Sequence, residues 1–423
     1  MSETMEVLSG MPDATTDVPP LDLSDSRSYV AGVPHDYLAH LRRHDPVHWQ
    51  EEANGPGFWA VTRYDDCVTV NRDFERFSSF RRGTMPFELK DEEIEQQRLM
   101  MLNMDPPLHT RYRRLVNKGF TPRMVRDLEA SIHRTTDAII DAVCERGTAD
   151  FVTEVSGELP LQVIAELLGV PHEERHSMFD WSNRMVGHED PEYGVTEEDV
   201  TMAAIELYGY ASELFAKKRI DPKGDLMSAL TQVEMDGERL SDMELELFFL
   251  LLTVAGNETT RNLISGAMHA FFTFPDQWER LRRDRSLLDT AVEEMLRYVT
   301  PVMNFRRTAT CDLELSATAI KEDDKVVFFH TSANRDEDVF DRPEVFDIGR
   351  DPNPHVAFGG GGPHFCLGAN LARMEIRVMF SHLLDRLPDI HPGGEVQRLQ
   401  SQFINGVKHL PVAFTPVAPV GVG

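Results

Sequence analysis

The sequence predicts a mainly α-helical fold carrying small β-sheets. Three observations point there. Helical patterns dominate from Leu108 to Leu296. One of them opens with the capping box Ser241-Asp242-Met243-Glu244 and runs for about thirty residues towards Pro275. Strand signals are short and scattered by comparison.

Taken along the chain, residues 1–20 read as a flexible acidic tail. Val47 to Val70 alternates and turns at Asn54-Gly55-Pro56-Gly57, which predicts a small hairpin. After Asp105-Pro106-Pro107 a helix begins. At about 100° per residue, His109, Arg113, Val116 and Phe120 share one face, with Arg111, Arg114 and Lys118 roughly opposite. The first face mixes apolar groups with two donors, as a buried anion requires. An ordinary surface pair is the competing reading. The second face is a basic patch on an acidic protein, either a solvated helix side or a docking patch for an acidic partner.

The long helix is very apolar from Phe248 to Ala255, but Glu258 and Arg261 interrupt it. That makes it a buried core helix rather than a membrane span. Ala255-Gly256-Asn257-Glu258-Thr259-Thr260 stands in its middle. Small residues at 255 and 256 open space, and Thr259 can bond back to the carbonyl of Ala255 and bend the helix. An acid beside an alcohol at such an opening can relay protons from solvent to a bound oxygen. The bland alternative is a polar helix turn with an incidental glycine. On the next helix either Glu293 or Glu294 can pair with Arg297. Short strands are expected at Leu313–Leu315 and Lys325–Phe329, and a late hairpin turning at Asn405-Gly406. A loose Pro/Gly/Val tail follows, residues 416–423.

Bulk properties narrow the function. With 423 residues a large core is possible, and neither repeats nor linkers divide residues 21–415, which read as a single domain. The formal charge of −28 argues against nucleic acid and anionic membranes as partners. Cys67, Cys144, Cys311 and Cys366 are far apart, without the spacing of a zinc site or a disulfide framework. The start lacks a signal-peptide pattern, and no apolar run is long enough for a transmembrane anchor. A cytoplasmic protein is expected.

The chain is organised around Phe358-Gly359-Gly360-Gly361-Gly362-Pro363-His364-Phe365-Cys366-Leu367-Gly368, with a helix pattern from Ala369 to Leu384. Consecutive glycines permit turns closed to other residues and close approach to a flat ligand. Amides of such a loop and helix start stabilise a thiolate. A lone cysteine there can be the single protein ligand of a haem iron. A phosphate cradle would want Lys-Ser/Thr after the glycines, and a dinucleotide turn a strand before them. The Pro-containing approach, Asp351 to His355, speaks against such a strand.

In order, the His109/Arg113 helix, the A-G-x-E-T-T helix, the E-x-x-R helix, Pro343-x-x-Phe346-Asp347-x-x-Arg350 and the Cys366 loop resemble a cytochrome P-450 over roughly residues 20 to 415. The resemblance implies a triangular helical prism with haem b between the central helix and the cysteine-loop helix. It implies Cys366 as the thiolate ligand to iron and Glu258 and Thr259 as the acid–alcohol pair that delivers protons to O₂. His109, Arg113, Arg307 and His364 match the positions that hold the haem propionates. Glu294 and Arg297, with Arg350, match a buried brace. One departure is the extra glycine: the family's Phe seven residues before Cys is Gly359 here, so Phe358 or Phe365 is left to shield the sulfur.

The implied reaction inserts one atom of O₂ into a C–H bond, with electrons from a separate ferredoxin and its reductase. The docking patch would be Arg111, Arg114 and Lys118, joined by Arg373 and Arg377. Segments matching the family's pocket are mainly apolar (Phe80–Leu102, Leu251–Thr259, Val302–Phe305 and Phe403–Val407). The wording around Glu258 and the glycine loop is similar to actinobacterial and mycobacterial hydroxylases of methyl-branched lipids, isoprenoids or sterol side chains, often at a terminal carbon. Terpene or polyketide tailoring, and peroxide-driven peroxygenase chemistry, are the alternatives.

Overall fold

A computed structural model describes residues 18–119, 122–234, 237 and 239–421. Helices form most of it and four small sheets border them. The helix Asp242–Thr273 runs through the centre, about 48 Å long at 1.5 Å per residue. Its start is fixed by the expected reciprocal cap: Glu244 N donates to Ser241 Oγ, and Ser241 N donates to Glu244 Oε2 at 2.7 Å. It ends at Phe274, where Pro275 begins the next helix. Leu245, Phe249, Leu263, Ile264, Met268 and Phe271 bury it in the main hydrophobic cluster, and helices Glu158–Leu168, Arg175–Val186 and Glu197–Ile220 pack around it.

The largest sheet has five strands in the order Val47–Gln50, Phe58–Val61, Lys325–Phe329, Asn304–Ala309 and Phe77–Ser78. Lys325-Val326-Val327-Phe328-Phe329 lies inside it and is buried on both faces, as its continuous apolar run requires. Arg307 opposes Val326 and Phe305 opposes Phe328, so these side chains share one face. The predicted strands Leu313–Leu315 and Lys325–Phe329 are present, and the hairpin around Asn54-Gly55 is too.

Other expectations change. Alternation does not continue to Val70, because Tyr64–Arg72 is a helix. Asp65 and Asp66 favour its first turn, and Cys67, Val70 and Asn71 fall on its buried side. Asn405-Gly406 is not a two-residue hairpin turn. Strands Gln397–Arg398 and Val407–His409 pair across a longer loop, and Asn405 spends its backbone N–H on Pro301 O and its amide on Val299 O. Residues 417–421 are tied back rather than loose: Val417 N donates to Cys144 O, while Val420 N and Gly421 N donate to the Asp141 carboxylate. Most of the expected N-terminal tail, Phe120 and the side chain of Lys118 lie outside the described residues.

Candidate active site

All four glycines before Cys366 take positive φ, from 62° at Gly360 to 105° at Gly361, which side chains with a Cβ adopt only under strain. The loop closes when Cys366 N donates to Phe358 O at 3.1 Å. It is gripped from outside by the end of the helix Tyr64–Arg72. Asn71 Nδ2 donates to the carbonyls of Gly359 and Gly361, and Arg72 Nε donates to Gly360 O at 2.9 Å. Sequence reasoning missed both residues, because nothing local to Asn71-Arg72 announces a partner nearly 290 positions away.

Cys366 sits just before the helix Ala369–Arg386. Burial raises its thiol, while the Gly368 N–H and the charges of Arg113 and Arg373 act in the opposite sense. These are the groups that hold a thiolate once an electropositive centre binds it. Phe358 and Phe365 both precede Cys366, with ring centroids 6.4 Å apart. Phe358 packs under the Arg373 guanidinium at 4.6 Å, whereas Phe365 is exposed.

The predicted anion-holding set converges. The imidazoles of His109 and His364 lie 4.3 Å apart, and the charge of Arg113 reaches both rings and Cys366. Burial, then the charges of Arg113 and Arg307, holds His109 neutral with a pKa of about 4. His364 is pushed down in the same way, and its Nε2 is 3.2 Å from Ser79 Oγ. Arg307 is buried on the sheet face it shares with Phe305. Burial lowers it to about 10, with Asp105 opposing. His330, directly after the strand Lys325–Phe329, was not singled out from sequence. It is 3% exposed, its ring neighbours are Phe305 and Phe328, and the Val302 backbone bonds to it. Two neutral imidazole donors and two guanidiniums fit a dianion such as the two haem carboxylates.

The central helix contributes the other wall. Thr253, Asn257, Glu258 and Thr260 are buried, yet Ala255 is exposed and Thr259 partly so. In the middle of a core helix, that face must border internal space. Thr259 Oγ1 donates to Ala255 O at 2.7 Å, as its position four residues on predicts. Gly256 does not widen the opening. A Cβ there would meet Ile164 Cδ1 at 2.8 Å, so its glycine serves close helix packing. Glu258 is buried and ion-paired with Arg261. Burial raises its carboxyl, with Arg261 and Ser182 opposing.

The brace below is complete. Arg297 donates to both oxygens of Glu294, at 2.8 and 2.7 Å, and both side chains are fully buried. Arg350 Nε joins Glu294 at 3.1 Å. Glu293 is not the partner of Arg297, since it takes Arg373 and His355 instead. Arg373 is therefore spent on Glu293, and Arg377 pairs with Asp289 at 2.9 Å, so neither offers the free charge expected of a docking residue. Arg111 lies over the Tyr112 ring, and Arg114 is exposed.

Among the described residues no helix is long and apolar enough to cross a membrane. The family model for Cytochrome P450 matches residues 203–407. A steroid C26-monooxygenase of Mycobacterium tuberculosis is 44% identical over 412 residues, covering 95% of this chain and 94% of that protein. A methyl-branched lipid omega-hydroxylase of the same organism is 41% identical over 389 residues, 89% and 90% of the two chains. The Mycobacterium marinum cytochrome P450 CYP268A2, solved in complex with pseudoionone, superposes with a TM-score of 0.86 at 40% identity, over 94% of this chain and all of that one. CYP109E1 from Bacillus megaterium, in complex with testosterone, gives 0.80 at 36% identity over 90% and 99%. With a cysteine on a glycine-built loop, a convergent set of histidine and arginine side chains and relatives that match nearly end to end, this chain belongs to the cytochrome P450 family of haem-thiolate monooxygenases.

Proposed function

We propose that the enzyme hydroxylates a terminal carbon of an apolar, methyl-branched chain, as found in branched lipids, isoprenoids and sterol side chains. The carrying observation is that two groups of relatives above 40% identity are named for C26 of a steroid and the omega carbon of a methyl-branched lipid. Both are chain-end carbons. The lining supports this: Leu251, Leu252, Val254, Val302, Phe305 and Phe403 are partly exposed on the segments that border the site, and none carries a charge.

In this reading Cys366 is the iron ligand, and His109, Arg113, Arg307 and His364 hold the haem carboxylates. Bound haem supplies reductive activation of O₂ and transfer of one oxygen atom to carbon. The glycine loop fixes the sulfur by its backbone bonds, and Arg113 holds its charge. Thr259 offers a hydroxyl at the opening beside Ala255, and Glu258 one residue earlier supplies protons to that side. The retained pair favours O₂ over peroxide as oxidant, since peroxide already carries the protons and electrons. Electrons come from a separate ferredoxin meeting Arg111, Arg114 and Lys118, in the cytoplasm.

Titration of the ferric protein with branched-chain lipids, cholest-4-en-3-one and linear terpenes tests the substrate class. A shift of the Soret band to shorter wavelength and chain-end alcohols among the products are expected for branched chains. Turnover confined to ring carbons or to unbranched chains would overturn the reading.

A further inference from the structure

Residues 187–196 join the helices Arg175–Val186 and Glu197–Ile220, both packed on the central helix. Two successive carboxylates on this connector reach across to the loop 399–406, which links the strands Gln397–Arg398 and Val407–His409. Glu189 holds one residue twice: its Oε2 accepts from Gln402 N and its Oε1 from Gln402 Nε2, both at 3.0 Å. Asp190 Oδ2 accepts from Gln400 N at 2.8 Å. Asp190 is 2% exposed, and its Oδ1 accepts from Glu192 N and Lys408 Nζ, each at 3.0 Å. Hydrogen bonds to ionised acceptors are among the stronger ones, and a two-point hold fixes direction as well as distance.

The other side of the loop is fixed by the segment after the helix Leu288–Val299. Asn304 Nδ2 donates to Gln402 O at 2.8 Å, and Met303 N donates to Phe403 O at 2.9 Å. The Phe403 ring stands 5.4 Å from the Phe305 ring. Phe305 shares its sheet face with Arg307, one of the carboxylate-holding residues. Phe403 is partly exposed, while Ser401 and Ile404 near it are buried. The residue that Glu189 grips by backbone and side chain is thus the immediate neighbour of an aromatic ring on the substrate wall. Choosing one C–H bond among near-identical neighbours is sensitive to displacements of about 1 Å.

We propose that Glu189 is a positioning residue for the hydroxylation: through Gln402 it fixes the Phe403 ring, and the ring sets which carbon of the chain is presented. Asp190 anchors the loop two residues earlier. The inference rests on the reading of Phe403 as part of the wall that lines the substrate space. Reach, rather than charge, is what the role requires. Glutamine has that reach, since its carbonyl accepts from Gln402 N and its amide donates to the Gln402 side-chain oxygen once that amide turns over. Aspartate keeps the charge but is one methylene too short to hold both donors.

The test compares E189A, E189D, E189Q, F403A and the double variant E189A/F403A with wild type as haem-loaded full-length enzymes. The probes are pristanic acid and cholest-4-en-3-one. The readouts are the ratio of chain-end to neighbouring-carbon alcohols, KM, kcat and the spectral dissociation constant. E189A is expected to lower the product ratio several-fold and to raise KM and the dissociation constant, with kcat little changed. E189D should follow E189A, and E189Q should stay close to wild type. The double variant should give the product ratio of F403A, because one residue acts through the other. Wild-type ratio and KM in E189A and E189D, with F403A altered, would overturn the positioning role. Losses that add in the double variant would overturn the route through the ring. An unchanged ratio and dissociation constant in F403A would instead overturn the placing of Phe403 on the wall. Should E189A fail to take up haem, E189D is judged by the same readouts.

Discussion

Asn71 joins Arg307 to the cysteine loop. Its Oδ1 accepts from Arg307 Nη2 at 2.9 Å while its Nδ2 donates to Gly361 O at 3.1 Å. One amide thus sets the distance between a carboxylate-holding guanidinium and the loop that carries the sulfur. Asn71→Ala leaves a buried cation and loop carbonyls short of partners, a loss of about 1–3 kcal/mol per group. The expected outcome is a lower thermal midpoint and faster haem transfer to apomyoglobin. Asn71→Asp should be milder for Arg307 but still lose the loop bonds. Haem transfer at the wild-type rate in both variants would remove Asn71 from this role.

Arg297 is saturated. Beside its two bonds to Glu294, it donates to the carbonyls of Asn334, Pro343 and Val345 at 2.8 to 3.0 Å. A guanidinium has five N–H donors and all five are used. Lysine brings three donors and no fork, so Arg297→Lys should not rescue the site. Either Arg297→Lys or Arg297→Ala leaves Glu294 buried and under-paired, at a cost of about 3–5 kcal/mol. Guanidinium unfolding is the measurement, and the lysine variant should lie nearer to alanine than to wild type.

Much of this was legible before the structure, and the reasons differ by residue. The central helix announces itself through Ser241 and Glu244 and its apolar middle, because capping and burial are local demands. The Thr259–Ala255 bond follows from helix geometry alone. The choice between Glu293 and Glu294 does not, since both lie within reach of Arg297. Arg373 and His355 decide it, and they come from elements far along the chain. Asn405-Gly406 has the chemistry of a tight turn, but Pro301 and Val299 claim Asn405 first. Asn71 and His330 carried no signal, because their partners are set by tertiary contact.

Glu293 should shape the acid limb of stability. Burial pushes its carboxyl up, but the hydrogen bonds from Arg373 and His355 outweigh that and bring it to about 2, from an ordinary 4.5. In mild acid the unfolded chain therefore binds more protons than the folded protein, and stability rises with pH there. The contribution is complete above about pH 4.5 and fades as pH falls towards 2. Glu293→Gln should flatten urea midpoints over that interval relative to wild type and lower them near neutrality. Parallel pH curves for the two proteins would show that the pairing contributes nothing in solution.

Gly256 sets two effects against each other. Alanine in the middle of a helix gains about 0.5–1 kcal/mol over glycine through backbone entropy. Here the new methyl meets Ile164 Cδ1 at 2.8 Å, and Ile164 is itself 4% exposed in the core. Overpacking of this kind costs about 1–3 kcal/mol, so the clash should win and Gly256→Ala should be destabilising. Ile164→Val removes the colliding methyl and by itself costs about 0.5–1.5 kcal/mol. Combined with Gly256→Ala it should cost less than the sum of the two single changes, because the pair relieves one contact. The double-mutant cycle, read from urea midpoints, isolates that coupling. Additive losses would place the strain elsewhere along the packing of Glu158–Leu168 on the central helix.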